Sequence, residues 1–196
     1  MKIAKIVSSN SHIDYVARVI DSLDSDTPPK AADYCFGQFV RLSGESEDVI
    51  GIIYDSRLVN PEYGSFGPRL SPRPALGNFS PDYINEQGIL IGILLLGTLD
   101  RSGKAHHGVP RQIVPAGHDV TKIDAEDVKG FHSDGDGRVH LHYYSQIVAN
   151  AGQFAIPLLD SIIDQLCVGC AETEAQRLRV LKQSLTWQGT FGGMKL

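Results

Sequence analysis

The sequence predicts an α+β protein, a small, mostly antiparallel β-barrel followed by a C-terminal pair of α-helices. Three observations carry that expectation. Segments with apolar residues at alternate positions occupy the first two-thirds of the chain, the period of half-buried strands. Residues 34–61 hold two such segments, CFGQFVRLSG and VIGIIYDSRLVNP, joined by the polar run ESED. A strand, a polar turn and a second strand of this kind form the opening hairpin of a small barrel. Beyond Val148 the apolar period changes to three and four, which marks amphipathic helix.

The elements come in chain order. His12–Ile20 (HIDYVARVI) alternates Ile13, Tyr15, Ala17 and Val19 against Asp14 and Arg18 and reads as a strand. Asp21–Ala32, with its Pro28-Pro29 pair, is a polar connection. Gln38–Leu42 and Val49–Tyr54 make the hairpin, with Gly44 easing the turn. Asn60–Pro81 carries Pro61, Pro68, Pro72, Pro74 and Pro81 together with Gly64, Gly67 and Gly77. Proline removes a ladder donor and fixes φ, so this stretch is a long loop. Loops of such length in compact domains commonly carry function.

Glu86–Leu99 (EQGILIGILLLGTL) lacks alternation and reads as a strand buried on both faces. Arg111–Ala116 and Val139–Tyr144 are shorter strand candidates, and Asp124–Lys129 is a helical turn. Val148, Ala151, Ala155, Leu158, Leu159, Ile162, Ile163 and Leu166 lie on one helical stripe. Pro157 either interrupts that helix or sits near its true start, and Gly169 stops it. Ala171–Trp187 forms the second helix, with Leu178, Leu181 and Leu185 on its apolar side and its acidic residues in the first turn, where the helix dipole favours them. The chain divides into a barrel over 1–145, a helical pair over 146–190 packed on the barrel or a partner, and a tail over 191–196.

Composition narrows the function classes. The net charge of −5 across 196 residues offers no general attraction for nucleic acid. The longest apolar run, Ile89–Leu96, is too short to span a bilayer, and the first eleven residues lack the apolar core of a secretory signal. Three cysteines cannot all pair, which fits a reducing, cytoplasmic setting.

The motifs that resemble chemistry each have a simpler account. Gly97–Ala105 (GTLDRSGKA) ends in Gly-Lys after an apolar strand. A phosphate loop needs four residues between its glycines and Ser or Thr after the lysine; here five intervene and Ala105 comes next. It reads as a polar hairpin turn. Cys167-Val168-Gly169-Cys170 has the C-x-x-C spacing, yet no second pair completes a zinc site, and a helix rather than a strand precedes it. It reads as small residues filling a helix–helix turn.

Histidines 106, 107, 118, 132, 140 and 142 crowd the middle of the chain. His140 and His142 fall on one face of the candidate strand over 139–144, and with His132, Asp134 and Asp136 they compose an alternative metal centre. SDGDGR, however, is a turn composition and lacks the length and closing Glu of a calcium loop. There is no G-x-S-x-G elbow and no distinct carboxylate pair. The chain reads as a non-enzyme without metal or cofactor.

The order of elements then takes on a family likeness. HIDYVARVI, CFGQFVRLSG, VIGIIYDSRLVNP, ILIGILLLGTL and VPRQIVPAGHDVTKIDAEDV together resemble the HAS-barrel, the small N-terminal barrel of HerA-type DNA-translocating ATPases and of ATP synthase subunits. In that family a Pro- and Gly-containing stretch closes the barrel, and Pro110–Val120 matches it through Pro115, Gly117 and Val120. The resemblance covers about the first 130 residues. It implies a barrel that packs around a ring and docks partner proteins. Past the barrel the chain departs from the translocases. Two helices and a Gly-rich tail stand in place of a motor with a phosphate loop, so ATP hydrolysis does not carry over.

The expected function is therefore a non-catalytic assembly or docking module. It would serve itself as a homo-oligomer, or a P-loop ATPase on another chain, without membrane and without direct nucleic-acid contact. Tyr63, Phe66, Arg69, Arg73 and Phe79 in the long loop are of the residue types that anchor interfaces. The alternatives are a metal-dependent enzyme built on His132, His140 and His142 with Asp134, and, ranked last, an OB-like nucleic-acid-binding barrel, because its strands are mostly neutral or acidic.

Overall fold

The computed structural model describes residues 1–59, 88–134, 137–168 and 170–192, the last seven of these by backbone alone. Seven strands form one antiparallel sheet: β1 (Lys2–Ser9), β2 (Asp14–Val19), β3 (Phe39–Leu42), β4 (Glu47–Val59), β5 (Gly88–Asp100), β6 (Ala105–His107) and β7 (Asp119–Lys122). Six of them close on themselves in the order β2-β1-β7-β3-β4-β5, because β2 also pairs with β5. Closure removes the unpaired edges that an open sheet would expose. The expected barrel followed by helices is what the chain forms.

Alternation builds the wall. In β2, Tyr15, Ala17 and Val19 are buried while Asp14, Val16 and Arg18 are partly exposed, so one strand face lines the core. Opposite them Ile91 and Ile93 of β5 sit in register with Ala17 and Tyr15, and all four are almost wholly buried. Phe39, Ile52 and Ile6 complete a filled interior. The seam closes at β7. Gly117, at φ +81°, turns the chain so that its N–H donates to Ile6 O at 2.7 Å, and Val120 then pairs with Ala4. These residues lie at the C-terminal end of the Pro110–Val120 stretch expected to shut the barrel.

β1 is one of three strands, with β6 and β7, that the sequence reading did not assign. Its signal is short and interrupted: Ala4 and Ile6 turn in, Lys5 and Val7 turn out, but Ile3 is also buried. Two other expectations fail. Arg111–Ala116 forms no strand; the barrel is closed by the residues after it. Val139–Tyr144 contributes only an isolated bridge from Val139 to Ser133, and Tyr144 already begins a helix. With Tyr143 drawn into the core at 1 % exposure, the alternation read as strand there is loop anchored at intervals.

Four helices occur among the described residues: α1 (Ala125–His132), α2 (Tyr144–Asn150), α3 (Ala155–Cys167) and α4 (Glu172–Gly192). Asp124 caps α1, its carboxylate accepting from Asp127 N at 2.9 Å. The single stripe expected from Val148 to Leu166 is broken by a 3-10 turn at Gly152–Phe154, where Gly152 adopts φ +54°. Pro157 lies in the first turn of α3, where its missing N–H costs nothing. Leu158, Leu159, Ile162, Ile163 and Leu166 are all buried, each contributing about 1.5–3 kcal/mol of apolar transfer. In α4, Ala175, Leu178 and Leu185 are buried along the expected stripe, with Leu181 partly so.

The helices explain why β5 lacks alternation. Leu94, Leu95 and Leu96 are each wholly buried, and the amide of Gln146 on α2 donates to Leu95 O. One face of β5 lines the barrel and the other lies under helix, as the continuous apolar run implied. Beyond Leu96 the same strand carries β6, joined through a tight turn. Asp100 Oδ1 accepts from Ser102 N, Ser102 Oγ and Lys104 N, and Gly103 adopts φ +83°. The Gly-Lys segment is thus a hairpin turn organised by an aspartate.

Candidate functional site

The densest polar chemistry lies where β6, the end of α1 and the segment 137–143 meet. Gly97 sets up this corner. A Cβ there would fall 2.2 Å from His106 O, so only glycine lets β6 approach β5. His107 at the end of β6 then packs in tilted contact against Phe131, with ring centroids 4.5 Å apart, and against Tyr143 at 5.1 Å. The bridge between Ser133 and Val139 folds the next turn back, and His140 N donates to His132 O at 2.8 Å. Asp134 organises the turn by accepting from Arg138 N at 2.9 Å. A cleft of about 400 Å³ opens there, lined by Lys104, His107, His132, Asp134, His140 and His142.

The hydrogen bonds fix the protonation of the two inner rings. His132 is 1 % exposed, with Nδ1 2.6 Å from Val128 O and Nε2 2.5 Å from Tyr143 Oη. A carbonyl only accepts, so Nδ1 carries the proton and Nε2 accepts from the tyrosine hydroxyl. Burial pushes the imidazole down to about 3, so the ring is neutral. Burial likewise drives the Tyr143 phenol well above its ordinary range. His107 repeats the pattern: Nε2 donates to Phe131 O at 2.8 Å and Nδ1 accepts from His142 N at 3.4 Å. Its imidazole is also held below the usual value, chiefly by burial.

The outer pair differs. His140 Nε2 sits 2.8 Å from Asp134 Oδ2 on a partly exposed surface, and the rings of His140 and His142 lie 5.0 Å apart. The structure therefore gathers all the histidines of the alternative metal centre into one neighbourhood but not around one point. His132 spends both nitrogens inward, and among the described residues no group of three or more His, Cys, Asp or Glu side chains could hold a metal ion. His140 and His142 are on a loop, not on the strand face expected for them. Asp136 lies outside the described residues.

The remaining sequence candidates separate. Cys167 and Cys170 are partly buried at the α3–α4 junction and unbridged, the Cys170 thiol 2.6 Å from Leu166 O. Tyr63, Phe66, Arg69, Arg73 and Phe79 lie outside the described residues.

The strand that leads into that loop is described, and sequence reasoning passed over it. β4 pairs with β3 only as far as Ile52, with one further backbone pair between Ile53 and the turn at Gly37 and Gln38. It nevertheless continues to Val59 against β5. β5 still pairs with β2 as far as Leu90, so Leu58 and Val59 with Gly88 and Ile89 extend past the barrel as a short two-stranded arm, Leu58 being 82 % exposed. Along Asp55–Val59 no strand pairs with the outer edge of β4 among the described residues, and the Ser56 N–H donates to Asp55 Oδ1 at 2.8 Å. The arm's root is fixed by Tyr54, a bulge residue whose ring lies over Gly92 and whose hydroxyl donates to Asp14 Oδ1 at 2.8 Å. The signal was available: the strand runs thirteen residues from Glu47 if its polar end is allowed to remain extended.

The family model of a domain of unknown function, DUF8166, matches residues 1–195. The chain belongs to that family. The match spans barrel and helices together, so the α3–α4 pair is part of the family's domain and not an appendage particular to this chain. No curated protein matches the sequence.

Proposed function

We propose that the protein is a non-catalytic assembly and docking module whose partner is a P-loop ATPase on another chain, of the HerA translocase type. The observation that carries the non-catalytic half is the state of the histidine cluster. The inner rings, His107 and His132, have both nitrogens engaged within the fold, and neither is left with a lone pair or proton to offer a substrate. They are cross-links between β6, α1 and the loop before α2. The barrel interior is filled by apolar side chains, which leaves docking at the surface as the role of the fold.

The docking half is supported by the resemblance to HAS-barrels and by the projecting β4–β5 arm. The arm delivers the chain into the segment that holds Tyr63, Phe66, Arg69, Arg73 and Phe79, the residues assigned here to the ATPase contact. Three free cysteines, Cys35 exposed among them, support a reducing, cytoplasmic setting for the module. No helix among the described residues is long and apolar enough to cross a membrane.

Capture of the tagged protein from its native lysate, followed by mass spectrometry, tests the reading. A P-loop ATPase in stoichiometric yield is expected, and the double substitution Phe66→Ala with Arg69→Ala should abolish its recovery while leaving the melting temperature unchanged. A wild-type protein that recovers no ATPase, or a double variant that fails to fold, removes the corresponding half of the proposal.

A further inference from the structure

The arm carries more information than its exposure. The outer edge of β4 reads Asp55-Ser56-Arg57-Leu58-Val59 and carries no further strand among the described residues; the Ser56 N–H donates to Asp55 Oδ1 at 2.8 Å, a bond that a partner strand's carbonyl would replace. Such an edge is a template for an added strand. Asp55 and Arg57 share one face, and their side chains form an ion pair at 3.7 Å while Arg57 stays 75 % exposed. Opposite charges two residues apart make the edge complementary to itself.

We propose that a second copy of this chain adds to that edge, two β4 strands pairing antiparallel about a two-fold axis at Ser56. The inference rests on reading the barrel as an assembly module, and it stands whether or not the further partner is an ATPase. A two-fold axis perpendicular to the sheet keeps each face on its own side, so residues of equal parity must oppose one another. That leaves three central registers. Centring on Asp55 opposes two carboxylates, and centring on Arg57 opposes two guanidinium groups. Centring on Ser56 sets Asp55 of each copy opposite Arg57 of the other, twice by symmetry. Directly opposed unlike charges stabilise a strand pair and like charges destabilise it, so the sequence selects the Ser56 register. The contact is short, and such small interfaces give weak association, with a dissociation constant on the order of 10–100 μM.

Sedimentation equilibrium across a concentration series, from about 1 μM to about 1 mM to bracket that range, reads the association. The wild type is expected to pass from monomer to dimer. Asp55→Arg opposes arginine to arginine, and Arg57→Asp opposes aspartate to aspartate. Each should weaken dimerisation at least about tenfold. Combined in one chain, the two substitutions should restore it. Mixed from separate chains, they should yield a heterodimer, which also shows that both variants are folded. A wild type that stays monomeric throughout overturns the proposal, as does a dimer indifferent to both single substitutions or one that neither combination restores. These outcomes leave the ATPase reading standing, since that fails only if no ATPase is captured.

Discussion

Lowering pH should unfold this protein through one side chain, His132. In the unfolded chain its imidazole titrates near 6.5. In the fold it is held down to about 3, because burial penalises the charged ring and its Nε2 is occupied as an acceptor from Tyr143. The neutral ring is the one the fold accommodates, so the stabilisation is fully present above the unfolded value and is lost as pH falls toward the folded one. Between those limits the unfolded state binds one more proton, and stability drops by about 1.4 kcal/mol per pH unit. From pH 6.5, where the unfolded ring is half protonated, to pH 4.5 the loss from this residue is about 2 kcal/mol, a large part of the roughly 5–15 kcal/mol typical of a whole domain. The groups facing His132 are Phe39, Phe131, Tyr143 and His107, and only His107 adds charge, whose repulsion reinforces the shift. Urea unfolding at half-unit pH intervals should therefore show a steeper fall for the wild type than for His132→Gln, whatever their absolute stabilities. Equal slopes would refute the reasoning, as would an NMR titration placing His132 near 6.5.

The same contacts have other consequences. Tyr143→Phe keeps the ring but orphans the buried Nε2 of His132, and should cost about 1–3 kcal/mol in urea unfolding. Ile162→Ala removes a wholly buried side chain from the α3 stripe and should cost about 2–5 kcal/mol, read in the same assay. Gly37→Ala should destabilise by about 1 kcal/mol or more, because φ there is +79° and the new methyl would sit 2.3 Å from Ser161 Oγ; pairing it with Ser161→Ala should recover only the steric part. Leu58→Lys should change the melting temperature little, since that side chain is 82 % exposed in the isolated chain.

The sequence conveyed this fold unevenly, for physical reasons. β2, β3 and the apolar run of β5 were legible because period and turn chemistry agree with tertiary burial there. The breadth of burial along β5 even announced a second layer, which α2 supplies through Gln146 at Leu95. β1 was illegible because its buried residues, Ile3, Ala4 and Ile6, do not alternate cleanly. The loop over 137–143 misled in the opposite direction, since His140 and His142 keep a strand's spacing while their backbone N–H groups bond singly, His140 to His132 O at the end of α1 and His142 to the His107 ring on β6.

The site was legible in composition but not in role. Histidine crowding flagged the right corner of the molecule, yet only the partners of each nitrogen show that His107 and His132 are cross-links. Nothing local in sequence tells that Phe131 O and Tyr143 Oη will meet those rings, because the contacts join β6, a helix end and a loop 11 to 24 residues apart in the chain. The projecting arm was hidden for a related reason. Asp55, Ser56 and Arg57 look like a strand terminus, and only β5, beyond the long loop, keeps them extended.

The central claim is that this barrel works by association and not by chemistry. Native mass spectrometry of the protein isolated from its own cells under gentle conditions tests it most directly. The account predicts an intact mass made of whole numbers of this 21.3 kDa chain together with a P-loop ATPase. A lone 21.3 kDa species at every concentration would contradict it.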